Sequence, residues 1–473
     1  MELQYFKTIF EYIFMLYAIT ILIAYFILAI VSSRELFHNI RISKNTNYDA
    51  ILSSPFTPQI SIIAPAFNES LNIVENIKAL LGLYYPSFEI VIVNDGSKDN
   101  TLQKTIEAFD LEKVPFVIDY KIQCNKVLGV YKSRKNAYSN LTVIDKINGG
   151  KADALNSGIN IANSDYFIAI DVDSIIDRHA LNKLIKPFFE ETDKKVIAVG
   201  GVIQIANGCK IEDGQLVEVD VPDKLLPKFQ VIEYTRTFLF ERMGWSRLDG
   251  LLLISGALGL FDKQVVIECG GYNNNTVGED MELVVRMRKY MTDNNQKYKV
   301  IYIPDPLCWT ESPSSLKILG RQRNRWTRGL IDTIFLHKNL FFNPKYRTMG
   351  MLSHPFWVFF AWLAPIIEIM GLMYFLVLII FGELNWPFFI VMLSFIYFFA
   401  IFFSIYAILF DHLAYHRYKK RKMLLKLMIA AWIEPFIYHP FVVYWGIRGN
   451  FDYFIRKKKA WGNMTRTGFT KPN

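Results

Sequence analysis

The chain has 473 residues, 52% of them hydrophobic and 15% aromatic, and a formal charge of +9. It is too apolar for an ordinary soluble protein of this size, and the apolar residues gather at the two ends, so membrane segments flanking one soluble domain are expected. The positive clusters, HRYKKRK at 416–422 and IRKKKAW at 455–461, adjoin apolar segments and no nucleic-acid fold motif, which favours anionic lipid headgroups and excludes nucleic acid as a partner.

The first predicted element is a membrane anchor. Tyr12 to Val31 is uncharged, and about 20 residues at about 1.5 Å each cross about 30 Å of hydrocarbon. That is longer than a signal-peptide core. Arg34, Arg41 and Lys44 follow it and only Lys7 precedes it, so the next domain is expected in the cytoplasm. Residues 1–44 thus read as an anchor and 45–58, polar and proline-containing, as a linker.

From 59 to 345 the pattern becomes α/β. Ile60 to Ala64 reads as a strand, followed by a turn in which Asn68 or Ser70 caps a helix to about Leu83. Ile90 to Val93 is a second strand, ending at Asn94 and Asp95, with a helix from Thr101 to Phe109. Two successive strand–turn–helix units predict a doubly wound, mostly parallel sheet whose strand ends bring Asn68, Glu69 and Asp95 to one rim. No GxGxxG follows the first strand, so this is not a dinucleotide fingerprint. NGGK precedes a helix from Ala152 to Ala162. Its N-terminus and Lys151 suit an anionic phosphate, although a glycine turn with a solvated lysine has the same pattern.

In DYFIAIDVDS, Asp165 to Ser174, the strand Tyr166 to Ile170 delivers Asp171 and Asp173 to the same rim. Two hard oxygen donors at i and i+2 suit Mg²⁺ or Mn²⁺ that keeps positions for a substrate diphosphate; a polar turn is the plain alternative. FQVIEYTRTFLFERMGW reads as a helix against the sheet or at the membrane surface, and ISGALGLF permits close approach at Gly256 and Ala257. Glu279 and Asp280 precede a helical pattern, where they complement the helix dipole or serve as a general base.

An amphipathic helix is predicted from about Ser314 to Phe335. At about 100° per residue, Gln322, Arg325 and Trp326 share one face, with Arg321 and Arg328 beside Arg325. Guanidinium suits a diphosphate and indole the face of a sugar ring. Residues 346–447 form a C-terminal membrane region. In it Phe356 to Ile380 contains Pro365 and Glu368 and should be kinked or line a cavity, and Leu384 to Phe410 is a plain span. Lys426 to Ile447 contains Glu434, Pro435, His439 and Pro440 between two basic runs, and reads as a broken, re-entrant or interfacial segment before a basic tail, 448–473. The four cysteines, Cys124, Cys209, Cys269 and Cys308, form no CxxC, so neither a zinc site nor a disulfide framework is expected.

Taken together, Asn68-Glu69, Asp95, Lys151, Asp171-Val-Asp173, Gly278-Glu279-Asp280 and Gln322-Arg-Asn-Arg325-Trp326 resemble, in order and spacing, the processive membrane-embedded family 2 glycosyltransferases. That group includes the cellulose, hyaluronan and poly-β-1,6-N-acetylglucosamine synthases. The resemblance implies a GT-A type domain in the inner membrane, multi-pass, with its catalytic domain cytoplasmic. It further implies that Asn68, Glu69 and Asp95 serve the nucleotide, with Asp95 at the uridine end of a UDP-sugar donor, Lys151 at its phosphates and Asp171 holding the nucleotide. Asp171 and Asp173 would take Mg²⁺ or Mn²⁺. Asp280, with Glu279 beside it, would be the general base; Gln322 and Arg325 would hold the diphosphate, and Trp326 with Gly256 the acceptor. Expected partners are the donor, a polysaccharide or lipid acceptor, membrane lipids and an accessory subunit. WGNMTR, Trp461 to Arg466, is similar to the WGTR element of hyaluronan synthases, and Gly278 departs from the Thr that often precedes the acid pair. Two other readings stand beside a polymer synthase: a transferase adding one sugar to a lipid, and a non-catalytic transporter or scaffold.

Overall fold

The computed structural model describes residues 2–45, 54–212, 214–418 and 420–458; WGNMTR and most of the linker lie outside the described residues. Helix α1 (Glu2–Asn45) contains Tyr12 to Val31, the stretch read as an anchor. Chain then enters the sheet domain through β1 (Ile60–Ala66), α2 (Ile73–Leu81), β2 (Phe88–Asn94) and α3 (Thr101–Phe109). Next come β3 (Leu111–Val114), β4 (Val127–Ser133), β5 (Leu141–Lys146), α4 (Lys151–Ile161), β6 (Tyr166–Ile170), β7 (Ile175–Ile176) and α5 (Ala180–Glu190). Strands β8 (Lys195–Ile205), β9 (Lys210–Glu212) and β10 (Gln215–Glu218) lead to α6 (Leu225–Tyr234), which continues through a π turn (Thr235–Glu241) to Arg242–Arg247. The domain closes with β11 (Leu258–Asp262), α7 (Lys263–Glu268), α8 (Glu279–Asp293), β12 (Tyr298–Thr310) and α9 (Leu316–Leu336).

The ten-stranded sheet has the order β3-β4-β5-β2-β1-β6-β11-β8-β12-β7. Its centre, β5-β2-β1-β6, is parallel, as is the pair of β8 and β12, while β11 runs antiparallel between β6 and β8. Helices cover both faces of the centre, which is why β1 reads as the run ISIIAPA rather than as an alternation. Parallel β1, β2 and β6 end at one rim, and that rim receives Asn68, Asp95 and Asp171. The sequence pattern did not disclose the 13-residue β12 or antiparallel β11.

Two expectations need correction. Neither Asn68 nor Ser70 caps α2, whose first flanking residue is Asn72. Asn68 instead takes φ 58° and ties two rim loops together, its side-chain oxygen accepting from Lys98 N at 2.8 Å and its own N–H donating to Ser97 Oγ at 3.0 Å. The FQVIEY helix starts earlier, at Leu225, and is interrupted by the π turn. Arg328 of α9 is buried and donates to Asn324 Oδ1 and to the Lys458 carbonyl.

Beyond α9, Met349–Trp362 and α10 (Ala364–Ile380) meet at a 44° bend, α11 (Trp386–Tyr415) is continuous, and α12 (Arg421–Ile437) and α13 (His439–Phe454) meet at 46°. Pro365 and Pro440 each lie in the first turn after a bend, where a missing N–H costs least. Lys7–Ile42 within α1 and all of α11 are long and apolar enough to cross a membrane; up to four spans result if each bent pair is one.

Candidate functional site

The site is built on the turn between β5 and α4. Lys146, fully buried at the end of β5, donates to Asp95 Oδ1 at 2.6 Å and to the Ile147 carbonyl at 2.7 Å, and pairs with Asp153 Oδ1 at 2.6 Å. Asp95 also accepts from Asn148 Nδ2 at 3.1 Å, Gly149 N at 2.9 Å and Gly150 N at 2.8 Å. Asp95, expected at the uridine end of the donor, therefore has both oxygens engaged in fixing the NGGK turn. Gly150, at φ 87°, makes the left-handed bend that starts α4 at Lys151.

Lys151 projects from this start into the site. Its ammonium is paired with Asp171 and donates to the Gly256 carbonyl at 3.1 Å, while Gly256 N–H donates to Asp280 Oδ2 at 2.8 Å. Four segments, at 151, 171, 256 and 280, thereby meet within a few hydrogen bonds. A Cβ on Gly256 would lie 3.0 Å from Lys151 Nζ and 3.2 Å from Asp280 Oδ2, so the close approach depends on glycine. Burial works to lower the Lys151 pKa, but the carboxylates of Asp171, Glu279 and Asp280 outweigh it and raise the pKa. Glu279 is buried beside Asp280, and both effects push its pKa up to about 7.

Gly278 sets the position of this acid pair. A Cβ there would lie 2.8 Å from the Gly329 Cα, so α8 begins in backbone contact with α9. That contact brings Glu279 and Asp280 to the helix carrying Gln322, Arg325 and Trp326. Arg323 is held by Glu233 at 2.6 and 2.7 Å and by the Tyr438 hydroxyl at 3.2 Å, with its guanidinium 4.3 Å from the Trp326 ring centre. The Trp326 ring is thus held in place from within the protein.

One cavity of about 1330 Å³ contains these groups. Lys151, Asp171, Gly256, Glu279, Asp280, Gln322, Arg325 and Trp326 line it, and Asn68, Glu69, Asp95 and Asp173 lie outside the lining. Gln322 Oε1 is buried there without a protein hydrogen-bond partner, as a ligand-facing amide would be. From the carboxylates the cavity continues among apolar helices, past Tyr17 and Tyr25 of α1, Phe375 of α10 and Phe399 and Phe403 of α11.

Among the described residues no group of three or more His, Cys, Asp or Glu could hold a metal ion. Asp171 and Asp173 alone do not make a closed all-protein cage. They are two hard oxygen donors, a set that fits Mg²⁺ or Mn²⁺ completed by water and substrate phosphates.

Sequence reasoning missed Lys146, Asp153 and Arg323. The available signal for Lys146 was phase: it shares the inward side of LTVIDK with Thr142 and Ile144, where a lysine demands a carboxylate.

Residues 58–329 match the family model described as glycosyltransferase like family 2. Poly-beta-1,6-N-acetyl-D-glucosamine synthase of Staphylococcus epidermidis is 29% identical over 271 residues, 57% of this chain and 54% of that one; its Staphylococcus aureus (strain COL) counterpart gives the same values. The chain thus spans about half the length of the curated relatives it matches. Among solved structures, the mannosyltransferase PcManGT from Pyrobaculum calidifontis, in complex with GDP-Man and Mn²⁺, aligns over 86% of this chain and 97% of its own at 16% identity and a TM-score of 0.49. With its family model covering more than half of its length and containing every residue of the carboxylate, lysine and Gln-Arg-Trp constellation, this chain belongs to the glycosyltransferase-like family 2.

Proposed function

We propose that this protein is an inverting membrane glycosyltransferase that moves a hexose or N-acetylhexosamine from a UDP-sugar onto a growing β-linked polysaccharide and couples that synthesis to export of the polymer. One observation carries the reading: the cavity holding Asp280, Lys151 and Asp171 continues without a wall into the apolar helices. A lipid acceptor would also fill the apolar part, so product size separates the polymer synthase from a transferase that adds one sugar to a lipid. The names of the relatives make UDP-N-acetylglucosamine the first donor to test.

In this mechanism Asp280 takes the proton from an acceptor hydroxyl. Each of its oxygens accepts one backbone N–H, from Gly256 at 2.8 Å and from Met281 at 2.9 Å, which fixes its orientation and leaves a lone pair on each. The hydroxyl oxygen attacks the anomeric carbon as the bond to the diphosphate breaks, so one displacement inverts the centre. UDP leaves with the electron pair, and Lys151, Gln322 and Arg325 meet its developing charge. Trp326, clamped over Arg323, stacks on the acceptor sugar. Glu279, holding its proton near neutrality, keeps a second negative charge away from Asp280. Asp95, Asn68 and Glu69 act by fixing the rim loops around the donor. Asp171 and Asp173 would hold Mg²⁺ or Mn²⁺, which when bound neutralises diphosphate charge.

Residues 59–345 form the catalytic domain in this reading and face the cytoplasm of an inner membrane, since Arg34, Arg41 and Lys44 follow the anchor. Residues 346–447 make the rest of a multi-pass membrane unit. The test uses purified protein in nanodiscs with Mg²⁺ or Mn²⁺, offered UDP-GlcNAc, UDP-Glc and UDP-GlcA separately and together, with UDP release and product size read in one tube. A high-molecular-weight product is expected from one donor. A product of glycolipid size only would overturn the polymer reading, and undiminished transfer by Asp280→Asn would overturn the base.

A further inference from the structure

A second cavity, of about 690 Å³, lies between α9 and α13. Its walls carry three cations, Lys317 and Arg321 from α9 and Arg448 from α13, and its lining includes no acid. All three side chains are exposed. The floor is made by Gly320 and the buried Trp445: a Cβ on Gly320 would fall 3.0 Å from the indole Cδ1, so glycine lets the ring sit against α9. Cations therefore rise on both sides of a trough with an aromatic base.

Apolar neighbours decide which kind of anion. Leu316, Phe441 and Tyr444 adjoin the cations, are 44%, 39% and 58% exposed, and α13 belongs to an apolar bent pair. A free phosphate or nucleotide leaves these side chains in water. A phospholipid covers them with its glycerol and acyl chains while its phosphate meets the cations, and aromatic residues at headgroup depth mark such boundaries. We propose that the trough between α9 and α13 is a binding site for the phosphate headgroup of an anionic phospholipid, held by Lys317, Arg321 and Arg448. Arg321 is the sequence neighbour of cavity-facing Gln322, so the bound headgroup fixes α9 relative to the membrane surface.

The test needs no transferase activity, so it stands apart from the proposed function. Full-length protein in neutral detergent is titrated with phosphatidylglycerol or phosphatidylcholine, and bound lipid is counted by native mass spectrometry. Phosphatidylglycerol should bind in preference. At about fivefold per cation near an anionic headgroup, Lys317→Gln/Arg448→Gln should bind it about 30-fold more weakly and Arg448→Gln alone about fivefold. Lys113→Gln/Lys132→Gln, which removes the same charge from exposed positions on β3 and β4, should bind as wild type does. Unchanged phosphatidylglycerol binding by the double variant, equal loss in the β3/β4 control, or displacement of the lipid by inorganic phosphate at matched concentration would each overturn the proposal.

Discussion

Replacing Lys146 with methionine keeps the side chain's length and removes the ammonium between Asp95 and Asp153. Both carboxylates are only 3% exposed, so the variant buries two negative charges with no cation between them. Removing one partner from a buried ion pair costs about 3–5 kcal/mol, most of it from the charge left behind. At roughly 2–4 °C per kcal/mol for a domain of about this size, the melting temperature should fall by on the order of 10 °C. Thermal unfolding in detergent, followed by tryptophan fluorescence, measures this directly. Adding Asp153→Asn to Lys146→Met removes one of the stranded charges and should recover part of the loss, a coupling that independent sites would not show. A Lys146→Met protein that melts within about 1 °C of wild type would refute the reasoning. Asp95→Asn separates two roles for that carboxylate: it should lower stability together with turnover, because the turn leading to Lys151 loosens. Normal stability with lost UDP binding would instead make Asp95 a donor ligand.

Gly256→Ala puts a methyl group 3.0 Å from Lys151 Nζ and 3.2 Å from Asp280 Oδ2; kcat should fall about 10- to 100-fold with little change in melting temperature, since displacements well under 1 Å at reacting groups are costly. Gly278→Thr restores the residue common before the acid pair elsewhere, yet here it drives a Cβ into the Gly329 backbone, and should lose about 1–3 kcal/mol as well as activity. For Glu279, the folded pKa of about 7 lies above the unfolded 4.5, so the native state holds an extra proton between those values and loses stability as pH rises through them. Glu279→Gln should therefore gain on wild type in unfolding free energy from about pH 4.5 to 7, by up to about 3 kcal/mol; a constant difference across that range would contradict the assignment. Chelation with EDTA should stop UDP release, and Mg²⁺ or Mn²⁺ should restore it.

The primary structure carries the local rules. Apolar length marks α1 and α11, prolines mark the two bends, and β-rich runs ending in Asp95 and in Asp171-Val-Asp173 mark a rim. These features depend on neighbours a few residues apart, so one sequence displays them. The Gln322, Arg325 and Trp326 face was legible for the same reason: helical periodicity is local. What each carboxylate is bonded to depends on segments that meet only when the chain folds. Asp95 and Lys146 are 51 positions apart, and Lys151 and Gly256 are 105 apart. Gly278 looks like a weakened motif in sequence, and only its contact with Gly329 shows it to be the clearance that lets α8 touch α9. The cavity likewise belongs to no segment, because its walls come from helices at both ends of the chain and from sheet loops between them. Sequence determines which groups reach the rim; tertiary packing decides which of them face the cavity and which are consumed in holding the others there.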